Sequence, residues 1–317
     1  MHAIRLHAFG PAENLRYEEV AAPEPAAGQV RIAVEAAGVH LIDTRLRAGI
    51  QMGPLPLPDL PAIPGREVAG TVEAVGDDAG GSWLGRRVVA HLGPAGGGGY
   101  AELAVVGADA LHAIPDDVTA ETAVATIGTG RTTMGILEAA ALTDSDTVLI
   151  PAAAGGIGAL LVQAARRAGA EVVALAGGAA KVDEAKRLGA TFAVDYTDAR
   201  WPETVRDLLD GDPVSVVLDG VGGATGAAAL DLLGPGGRMV VFGWSSGAPS
   251  ETTRDDVTML RLPRPTDLRA LETAALDAVA TGALTPLVGP PFALADAAAA
   301  HTALESRATV GKVVLLP

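Results

Sequence analysis

The sequence predicts an α/β protein in which a doubly wound parallel sheet is joined to a second, mostly antiparallel β domain. Two patterns in the 317-residue chain lead to this prediction. Between residues 147 and 243, short apolar runs alternate with helical stretches, which is typical of a parallel sheet buried on both faces. Before residue 120, short β-like runs are instead separated by glycine and proline, which is typical of antiparallel strands and their loops.

The N-terminal region is predicted to contain short strands at 30–35, 68–75, 87–91 and 101–106. An irregular loop between the first two strands is rich in proline, at Pro54, Pro56, Pro58, Pro61 and Pro64. A glycine tract at 93–99 separates the last two strands. We therefore expect a compact β domain with long loops over residues 1–120.

The pattern changes near Thr119, where helices begin to alternate with apolar strands. Helices are predicted at 119–141, 156–169, 179–189, 201–210, 223–234 and 267–282. Strands are predicted between them at 147–151, 171–176, 191–195, 214–219 and 237–243. A last apolar strand at 312–316 stands apart from this alternation, so it is a candidate to rejoin the first domain.

Composition excludes several classes of function. The net charge of −15 repels nucleic-acid phosphates and anionic membranes, so we expect neither as a partner. The absence of cysteine excludes disulfides, thiolate zinc sites and a cysteine nucleophile. The chain has neither an apolar run of about 18 residues nor a signal-peptide pattern at its start, so we expect a cytoplasmic protein.

The most informative stretch is Val-Leu-Ile-Pro-Ala-Ala-Ala-Gly-Gly-Ile-Gly at 148–158. A β-branched run ends in a glycine-rich turn, and an apolar-faced helix follows. Ala153, Gly155 and Gly158 occupy the three glycine positions of the dinucleotide pattern G-x-G-x-x-G. Free N–H groups at such a helix start can hold a phosphate. An ordinary tight turn is the alternative interpretation.

The second predicted strand indicates which dinucleotide binds. An NAD site usually has an acidic residue at its end, but here Leu175, Ala176 and Gly177 follow one another. Lys181 comes four residues after Gly177, and Tyr196 follows the next strand. A neutral turn beside a cation favours a 2′-phosphate, so we predict NADPH. The alternative for Lys181 is a solvated helix residue.

With these residues considered, the chain resembles the zinc-independent quinone oxidoreductases of the medium-chain dehydrogenase/reductase superfamily. The resemblance extends over nearly the whole chain. Its motifs stand in the family's order, as AGVHLID at 37–43, IPGREVAG at 63–70, GYAE at 99–102, AAAGGIG at 152–158 and GKVVL at 311–315.

The resemblance implies a GroES-like domain at 1–120, completed by the C-terminal segment 265–317, and a Rossmann domain at 121–264. It implies that NADPH binds between them and that a quinone or an activated carbon–carbon double bond is reduced. The substrate would be a small-molecule quinone or enone, and the protein would be a homodimer.

The resemblance also assigns site residues to matching positions. The pyrophosphate would contact the glycine turn, and the 2′-phosphate would contact the next two loops. The nicotinamide would lie beside residues of a helix and of the sixth strand. Lys312 would approach the cofactor from the C-terminal segment. The expected cofactor residues are therefore Thr132, Ala154, Gly155, Gly156, Ile157, Gly177, Lys181, Tyr196, Phe242, Gly243 and Lys312.

Metal binding is not expected. The positions that match the zinc ligands of related dehydrogenases are His40, Arg66 and Gly128, with Glu67 retained. One histidine and one glutamate do not make a zinc site, and Arg66 would repel the ion.

Three residues are candidates for catalysis: His40, Asp43 and Arg131. His40 replaces the family's asparagine and could relay a proton or simply fill the cleft wall. Arg131 replaces an apolar residue, and with Arg66 it could make the cleft cationic, unless each pairs with a local carboxylate. Asp43 could orient the backbone or a neighbouring arginine.

Three functions remain open. The first is direct hydride transfer from NADPH to a quinone. The second is an enone or enoyl reductase that modifies a polyketide-type biosynthetic intermediate. The third is an NADPH-binding protein without catalysis.

Overall fold

The structure is a computed structural model that describes residues 1–51, 56–93, 97–250, 252–262 and 267–317. Pro54 of the predicted proline-rich loop lies outside the described residues, and so does the middle of the predicted glycine tract, at 94–96. The same holds for residues 263–266, where the second expected domain boundary falls.

The chain divides into two compact units. The first comprises Met1–Thr129, Ala275–Thr281 and Val288–Pro317, and the second comprises Gly130–Ala274 and Gly282–Leu287. The division after Thr129 lies nine residues beyond the boundary expected at residue 120. Two short C-terminal segments belong to the second unit, whereas the expected domain 265–317 was continuous.

The first unit is made mostly of strands. They are β1 (His2–Leu6), β2 (Leu15–Glu19), β3 (Gln29–Val39), β4 (Glu67–Val75), β5 (Arg87–His91), β6 (Leu103–Gly107), β7 (Leu111–Ala113), β14 (Phe292–Ala293) and β15 (Val313–Leu316). Among the described residues of this unit, two α-helices lie wholly within it, α1 (Leu41–Arg47) and α8 (Ala297–Glu305). The sequence patterns predicted the strands at β3 to β6 and missed both short helices.

The main sheet of the first unit has the order β14-β15-β3-β4-β5-β7, with β6 paired to β3. Its pairs are antiparallel except for β14 and β15, which confirms the mostly antiparallel prediction. In β3, Val30, Ile32 and Val34 are buried and alternate with residues that are less so, as expected of a strand with one face on a core. The C-terminal strand β15 pairs with β3, so it joins this sheet as the sequence suggested.

The second unit alternates strands and helices. Its strands are β8 (Thr147–Ile150), β9 (Glu171–Ala176), β10 (Phe192–Asp195), β11 (Val214–Asp219), β12 (Leu233–Val241) and β13 (Thr258–Arg261). The helices that lie within it are α3 (Gly156–Arg167), α4 (Ala179–Arg187), α5 (Trp201–Leu208) and α6 (Gly223–Leu230). The helices α2 (Ala120–Ala140) and α7 (Leu268–Ala280) contribute residues to both units.

Within the described residues, the sheet of the second unit is parallel throughout and has the order β10-β9-β8-β11-β12-β13. The chain winds outward from β8 in one direction and from β11 in the other. Apolar clusters lie on both faces, one containing Ile150 and Leu161 and the other containing Leu149 and Trp201. This arrangement confirms the doubly wound prediction, and the direction of winding reverses next to β8, where such sheets bind ligands.

The largest error in the predicted bounds of this unit lies between α6 and β12. The helix expected at 223–234 ends at Leu230, and the strand expected at 237–243 extends from Leu233 to Val241. The apolar residues Leu232 and Leu233 look like a helical continuation, but both are buried in the cluster that contains Leu149. In the part of the chain that the structure describes, no helix has both the length and the hydrophobicity needed to cross a bilayer.

Candidate functional site

The glycine turn lies at the carboxyl end of β8. Gly155 caps α3, Gly156 is the first helical residue, and the first turn of the helix carries no acidic residue. The turn bends at Ala152, whose φ of 54° is in the left-handed region. The first N–H groups of a helix have no partner within it, so they are available to an anion. Ala154, Gly155, Gly156 and Ile157, the residues predicted to meet the pyrophosphate, lie in this turn and in the first turn of α3.

Gly158 keeps this turn tight. A Cβ at residue 158 would contact the Ala152 carbonyl oxygen and would lie 2.8 Å from the Ala153 Cα. Backbone atoms cannot move aside as a side chain can, so only glycine fits here. The glycine pattern of the sequence thus has a steric cause in this structure.

The next two loops of the same sheet bring Gly177 and Tyr196 together. A Cβ at residue 177 would lie 3.8 Å from the Tyr196 hydroxyl, which is ordinary contact distance. Lys181 lies in the first turn of α4, and its backbone N–H donates to the Gly178 carbonyl. The three residues predicted for the 2′-phosphate thus belong to two adjacent strand ends.

Asp195 connects these two loops, and sequence reasoning missed it. Its Oδ1 accepts hydrogen bonds from the Gly178 N–H, the Thr197 N–H and the Thr197 hydroxyl, at 3.0, 3.0 and 2.7 Å. The Gly178 N–H is the main cause of a lowered pKa of Asp195, and the Thr197 groups add to it. The signal that could have indicated it is its position as the last residue of β10.

Phe242 and Gly243 follow β12 and lie against the residue after β11. The Phe242 N–H donates to the Asp219 carbonyl at 2.9 Å, and a Cβ at Gly243 would lie 3.2 Å from the Gly220 carbonyl oxygen. Thr132 lies on α2, one residue after Arg131. These predicted residues all belong to the second unit.

In the first unit, His40, Glu67 and Lys312 form a buried polar cluster. The His40 Nε2 lies 2.7 Å from Glu67 Oε1 and 3.0 Å from Lys312 Nζ, and Lys312 also forms an ion pair with Glu67. Glu67 is fully buried and Lys312 nearly so, whereas 23% of the His40 side chain is exposed. Lys312, predicted to approach the cofactor, is therefore placed beside a catalytic candidate.

Electrostatics explain why a buried carboxylate is tolerated here. Burial acts to raise the pKa of Glu67, but the charges and hydrogen bonds of His40 and Lys312 outweigh it and hold the pKa well below its usual value. The Gly128 N–H donates to Glu67 Oε2 at 3.2 Å. Glu67 is thus ionised and satisfied.

Two glycines make room for the Glu67 carboxylate. A Cβ at Gly38 would lie 2.8 Å from the Glu67 Cδ. A Cβ at Gly128 would contact Glu67 Oε2 and lie 3.3 Å from the His40 Cε1. A larger residue at either position would therefore clash with this carboxylate.

Asp43 belongs to a second buried network next to this cluster. It accepts the His40 backbone N–H at 2.9 Å and the Tyr100 hydroxyl at 3.3 Å, and it pairs with Arg66 at 3.1 Å. The Tyr100 oxygen lies 3.2 Å from the Nε2 of the fully buried His301. Burial raises the pKa of Tyr100 well above its usual value, and Asp43 adds to this. Sequence reasoning did not identify Tyr100 or His301.

The two arginines proposed to make the site cationic are both paired with carboxylates. Arg66 pairs with Asp43, and the Arg131 NH1 donates to Glu272 Oε1 at 2.8 Å. This is the local pairing that was the alternative interpretation. Of the two interpretations that the sequence left open for these arginines, the ion pairs favour this one.

The positions matched to zinc ligands do not suit a zinc ion. Arg66 and Gly128 supply no ligand atom, and the Lys312 ammonium lies against the two remaining groups, His40 and Glu67. Within the described residues, no group of three or more histidine, cysteine, aspartate or glutamate side chains could hold a metal ion.

Comparisons with known families match both halves of this architecture. Residues 26–116 match the alcohol dehydrogenase GroES-like domain. Residues 156–264 match a family described as zinc-binding dehydrogenase.

Individual relatives match the chain from end to end. A quinone oxidoreductase of Pseudomonas aeruginosa is 34% identical and covers 99% of each chain. A 2-haloacrylate reductase of Burkholderia is 33% identical, covering 99% of this chain and 98% of its own. The crystal structure of Escherichia coli quinone oxidoreductase complexed with NADPH superposes with a TM-score of 0.88 at 30% identity and covers 100% of both chains.

Proposed function

We propose that this chain, which belongs to the quinone oxidoreductase family of the medium-chain dehydrogenase/reductase superfamily, is an NADPH-dependent reductase of a quinone or an activated carbon–carbon double bond. The observation that carries the proposal is the glycine turn that opens α3 at the carboxyl end of β8. A turn of this shape, at the point where the winding of the sheet reverses, is built to bind a dinucleotide.

The residues of the turn fit the pyrophosphate. Gly155 and Gly156 let backbone N–H groups approach an anion, and the close packing at Gly158 fixes the direction of α3. When bound, NADPH supplies the hydride. The protein aligns the reactants and provides the electrostatic surroundings for the transfer.

Preference for NADPH is supported by the loops after β9 and β10. The end of β9 has no carboxylate that could bind ribose hydroxyls. Lys181 supplies a cation in the first turn of α4, four residues after Gly177 in the chain. Asp195, the carboxylate at the end of β10, already accepts three hydrogen bonds from these loops.

We also propose that the reaction needs no metal. The groups at the ligand positions support this, because the Lys312 ammonium already contacts the His40 and Glu67 atoms that would have to bind a metal ion. Prolonged treatment with EDTA is expected to leave turnover unchanged. One tightly bound equivalent of zinc whose removal abolished turnover would contradict this part of the proposal.

The acceptor class is supported by the names of the relatives. Relatives with similar identity are a quinone oxidoreductase and a reductase of 2-haloacrylate, which contains an activated double bond.

The homodimer and the cytoplasmic location rest on the resemblance and on composition. They stay predictions, to be checked by light scattering and by fractionation of cells.

The test is NADPH oxidation, measured by the loss of absorbance, with 1,4-benzoquinone and with cyclohexenone as acceptors and NADH as the control donor. We expect turnover with NADPH and one preferred acceptor. Saturable NADPH binding without turnover on any acceptor would instead support a non-catalytic role. Preference for the enone would favour the biosynthetic enone reductase.

A pair of lysines on α4 provides a matched control. Lys181→Met is expected to raise the KM for NADPH by about tenfold and to leave the KM for NADH unchanged, because only NADPH carries the 2′-phosphate. Lys186→Met, on the same helix but beside the exposed Asp183, is expected to change neither. Equal effects of the two substitutions would contradict the assigned role of Lys181.

A further inference from the structure

A cavity of about 400 Å³ lies in the first unit, beside the buried network that contains Asp43. Helix α1 lines it through residues that include Asp43 and Leu46, and the segments 56–59 and 62–66 line it as well. Leucine, isoleucine, alanine and proline residues make up most of this lining. Its volume is within the range of sites that bind small molecules.

The segment 62–66 is held in place by the fold. Ala62 exchanges two backbone hydrogen bonds with Leu6, at 2.8 and 3.0 Å. A Cβ at Gly65 would lie 2.7 Å from the backbone nitrogen of Tyr100, so glycine is needed for the segment to pass this close. This side of the cavity therefore has its shape before any ligand binds.

Arg66 lines the cavity with a guanidinium group that has donors to spare. Only 10% of the side chain is exposed, and its Nε lies 3.1 Å from Asp43 Oδ1 without the alignment of a hydrogen bond. Among the residues that the structure describes, none accepts a hydrogen bond from this side chain. Unpaired buried donors are costly, and an arginine carries several N–H groups. A ligand oxygen in the cavity would accept some of them.

The charges around the cavity favour a neutral ligand. Asp43 balances Arg66, and Arg47, the other cation of the lining, is paired with Glu305. The remaining charged residue of the lining, Asp59, is exposed. A carboxylate would therefore bring an unbalanced charge into the cavity, whereas a carbonyl oxygen accepts N–H groups without adding one.

We propose that this cavity binds the carbonyl end of the acceptor and that Arg66 donates hydrogen bonds to the carbonyl oxygen. The proposal rests on the reductase function proposed above, and it restricts the substrate to neutral ketones and quinones with an apolar ring. The cavity is next to another candidate for catalysis, since Asp43 lines it and also accepts the His40 backbone N–H at 2.9 Å.

Arg66 is a catalytic residue in this assignment, because negative charge develops on the oxygen that it contacts. Hydride adds to the β-carbon of an enone, the carbon–carbon double bond shifts to the carbonyl carbon, and the π electrons of the carbonyl group become a lone pair on an enolate oxygen. A proton from solvent then adds to the α-carbon and restores the ketone. The guanidinium stabilises the enolate, and it would stabilise the anion of a reduced quinone in the same way.

The first test locates a bound ketone and needs no activity. Cyclohexanone, which lacks the carbon–carbon double bond, is labelled with ¹³C at its carbonyl carbon and added to the protein without NADPH. We expect nuclear Overhauser effects between its ring protons and the methyl groups of Leu46 and Ile63. We also expect a downfield shift of the ¹³C resonance, because a hydrogen bond to the oxygen deshields the carbonyl carbon.

Arg66→Met is expected to abolish the ¹³C shift and to weaken cyclohexanone binding by about tenfold. Methylenecyclohexane, which has the same ring but no oxygen, is expected to bind the wild type and Arg66→Met equally. Since Arg66→Met also leaves Asp43 unpaired, a second variant leaves both residues in place. Leu57→Trp fills the cavity and is expected to abolish binding, whereas the control Leu84→Trp, at an exposed position outside the lining, is expected to change nothing.

The second test is kinetic. Arg66→Met is expected to lower kcat for cyclohexenone on the order of 100-fold and to leave the Kd for NADPH unchanged. Arg66→Lys keeps a positive charge beside Asp43 and is expected to recover part of the activity, which a purely structural loss would not predict. Full activity of Arg66→Met would overturn the role of Arg66.

The outcomes separate the cavity from the proposed function. Absence of cyclohexanone binding, or binding without contacts to Leu46 and Ile63, would overturn the assignment of the cavity even if Arg66→Met did not fold. A carbonyl shift that Arg66→Met retained would overturn the role of Arg66. Each result would leave the reductase function intact, provided that the wild type oxidises NADPH with cyclohexenone. A wild type that binds cyclohexanone in the cavity but oxidises NADPH with neither acceptor would contradict the proposed function and support the site.

Discussion

The two candidate sites of this chain are built in opposite ways. The turn at 152–158 in the second unit is one continuous stretch, and it presents backbone N–H groups. The His40 cluster in the first unit is assembled from side chains far apart in sequence, with Lys312 placed 245 residues after Glu67. The first depends on how closely backbone segments approach, and the second depends on how charges are balanced.

This difference determines what each site tolerates. The turn holds no buried charge, so a substitution acts there through steric contacts. The cluster holds an ionised glutamate with no exposure at all, so a substitution acts there through an unpaired charge or donor.

The largest expected effect is that of Gly158→Val. The new side chain would meet the Ala152 carbonyl and the Ala153 Cα, which are both backbone atoms. The turn has to open, so we expect a loss of about 3 kcal/mol in the free energy of unfolding and no saturable NADPH binding. Urea unfolding and isothermal titration calorimetry measure the two effects.

Gly135→Ala is the matched control in the same unit. Its new Cβ would meet only the Leu271 Cδ1 at 3.8 Å, and alanine is a better helix former than glycine. We expect unchanged NADPH affinity and a gain of up to about 1 kcal/mol in stability. Normal NADPH binding by Gly158→Val would show that the turn does not contact the cofactor.

The same difference explains how far the sequence could predict each site. The glycine turn was predicted because strand, turn and helix are adjacent in the chain, so their spacing is readable. The expectation for Lys312 came from the resemblance and pointed to the cofactor, since no local pattern connects it to Glu67. Tyr100 and His301 were missed for the same reason, because a contact across 201 residues leaves no mark on spacing.

The prediction of secondary structure also succeeded where local sequence decides and failed where distant contacts decide. β9 and β11 were predicted with the correct bounds, because strands buried on both faces are continuous apolar runs. α1, α8 and the strands β1, β2, β7 and β14 of the first unit were missed. Their positions depend on packing against distant strands more than on their own periodicity, as the contact of α1 with α8 illustrates.

The second expected effect is a selective weakening of the first unit between pH 7 and pH 5. Burial, together with the charge of Arg47, lowers the pKa of His301 to about 4 from 6.5. His301 is therefore neutral in the folded state, while the unfolded chain takes up a proton below pH 6.5, so stability falls as the pH drops. We expect a loss of about 2 kcal/mol between these two pH values.

The second unit provides the contrast in the same experiment. Burial acts to raise the pKa of Asp146, but Arg238 and other hydrogen bonds outweigh it and lower the pKa to about 2 from 3.8. Its stabilising effect is present above pH 3.8 and is lost only as the pH falls toward 2. Hydrogen exchange, corrected for its intrinsic pH dependence, is expected to show faster opening of β3 and β4 at pH 5 and no change in β8 and β9.

His301→Gln tests whether His301 is the cause. The amide can still donate to the Tyr100 oxygen but has no proton to gain in this range. We expect the variant to lose the difference between pH 7 and pH 5 while keeping its fold. A variant that retained the full pH dependence would assign the effect to another group of the first unit.

The smallest expected effect concerns the charge beside the predicted 2′-phosphate site. Asp195→Asn keeps an oxygen that can accept from Gly178 and Thr197 but removes the negative charge. Because a carboxylate repels a phosphate, we expect the Kd for NADPH to fall about threefold, with no change for NADH. Asp198→Asn, at an exposed acid three residues later, is expected to change neither Kd.

Tighter binding of both cofactors by Asp195→Asn would assign its effect to loop shape, and weaker binding of both would show that the ionised carboxylate is needed to hold the two loops together. Only a change confined to NADPH would support a site that combines local backbone geometry with a nearby charge.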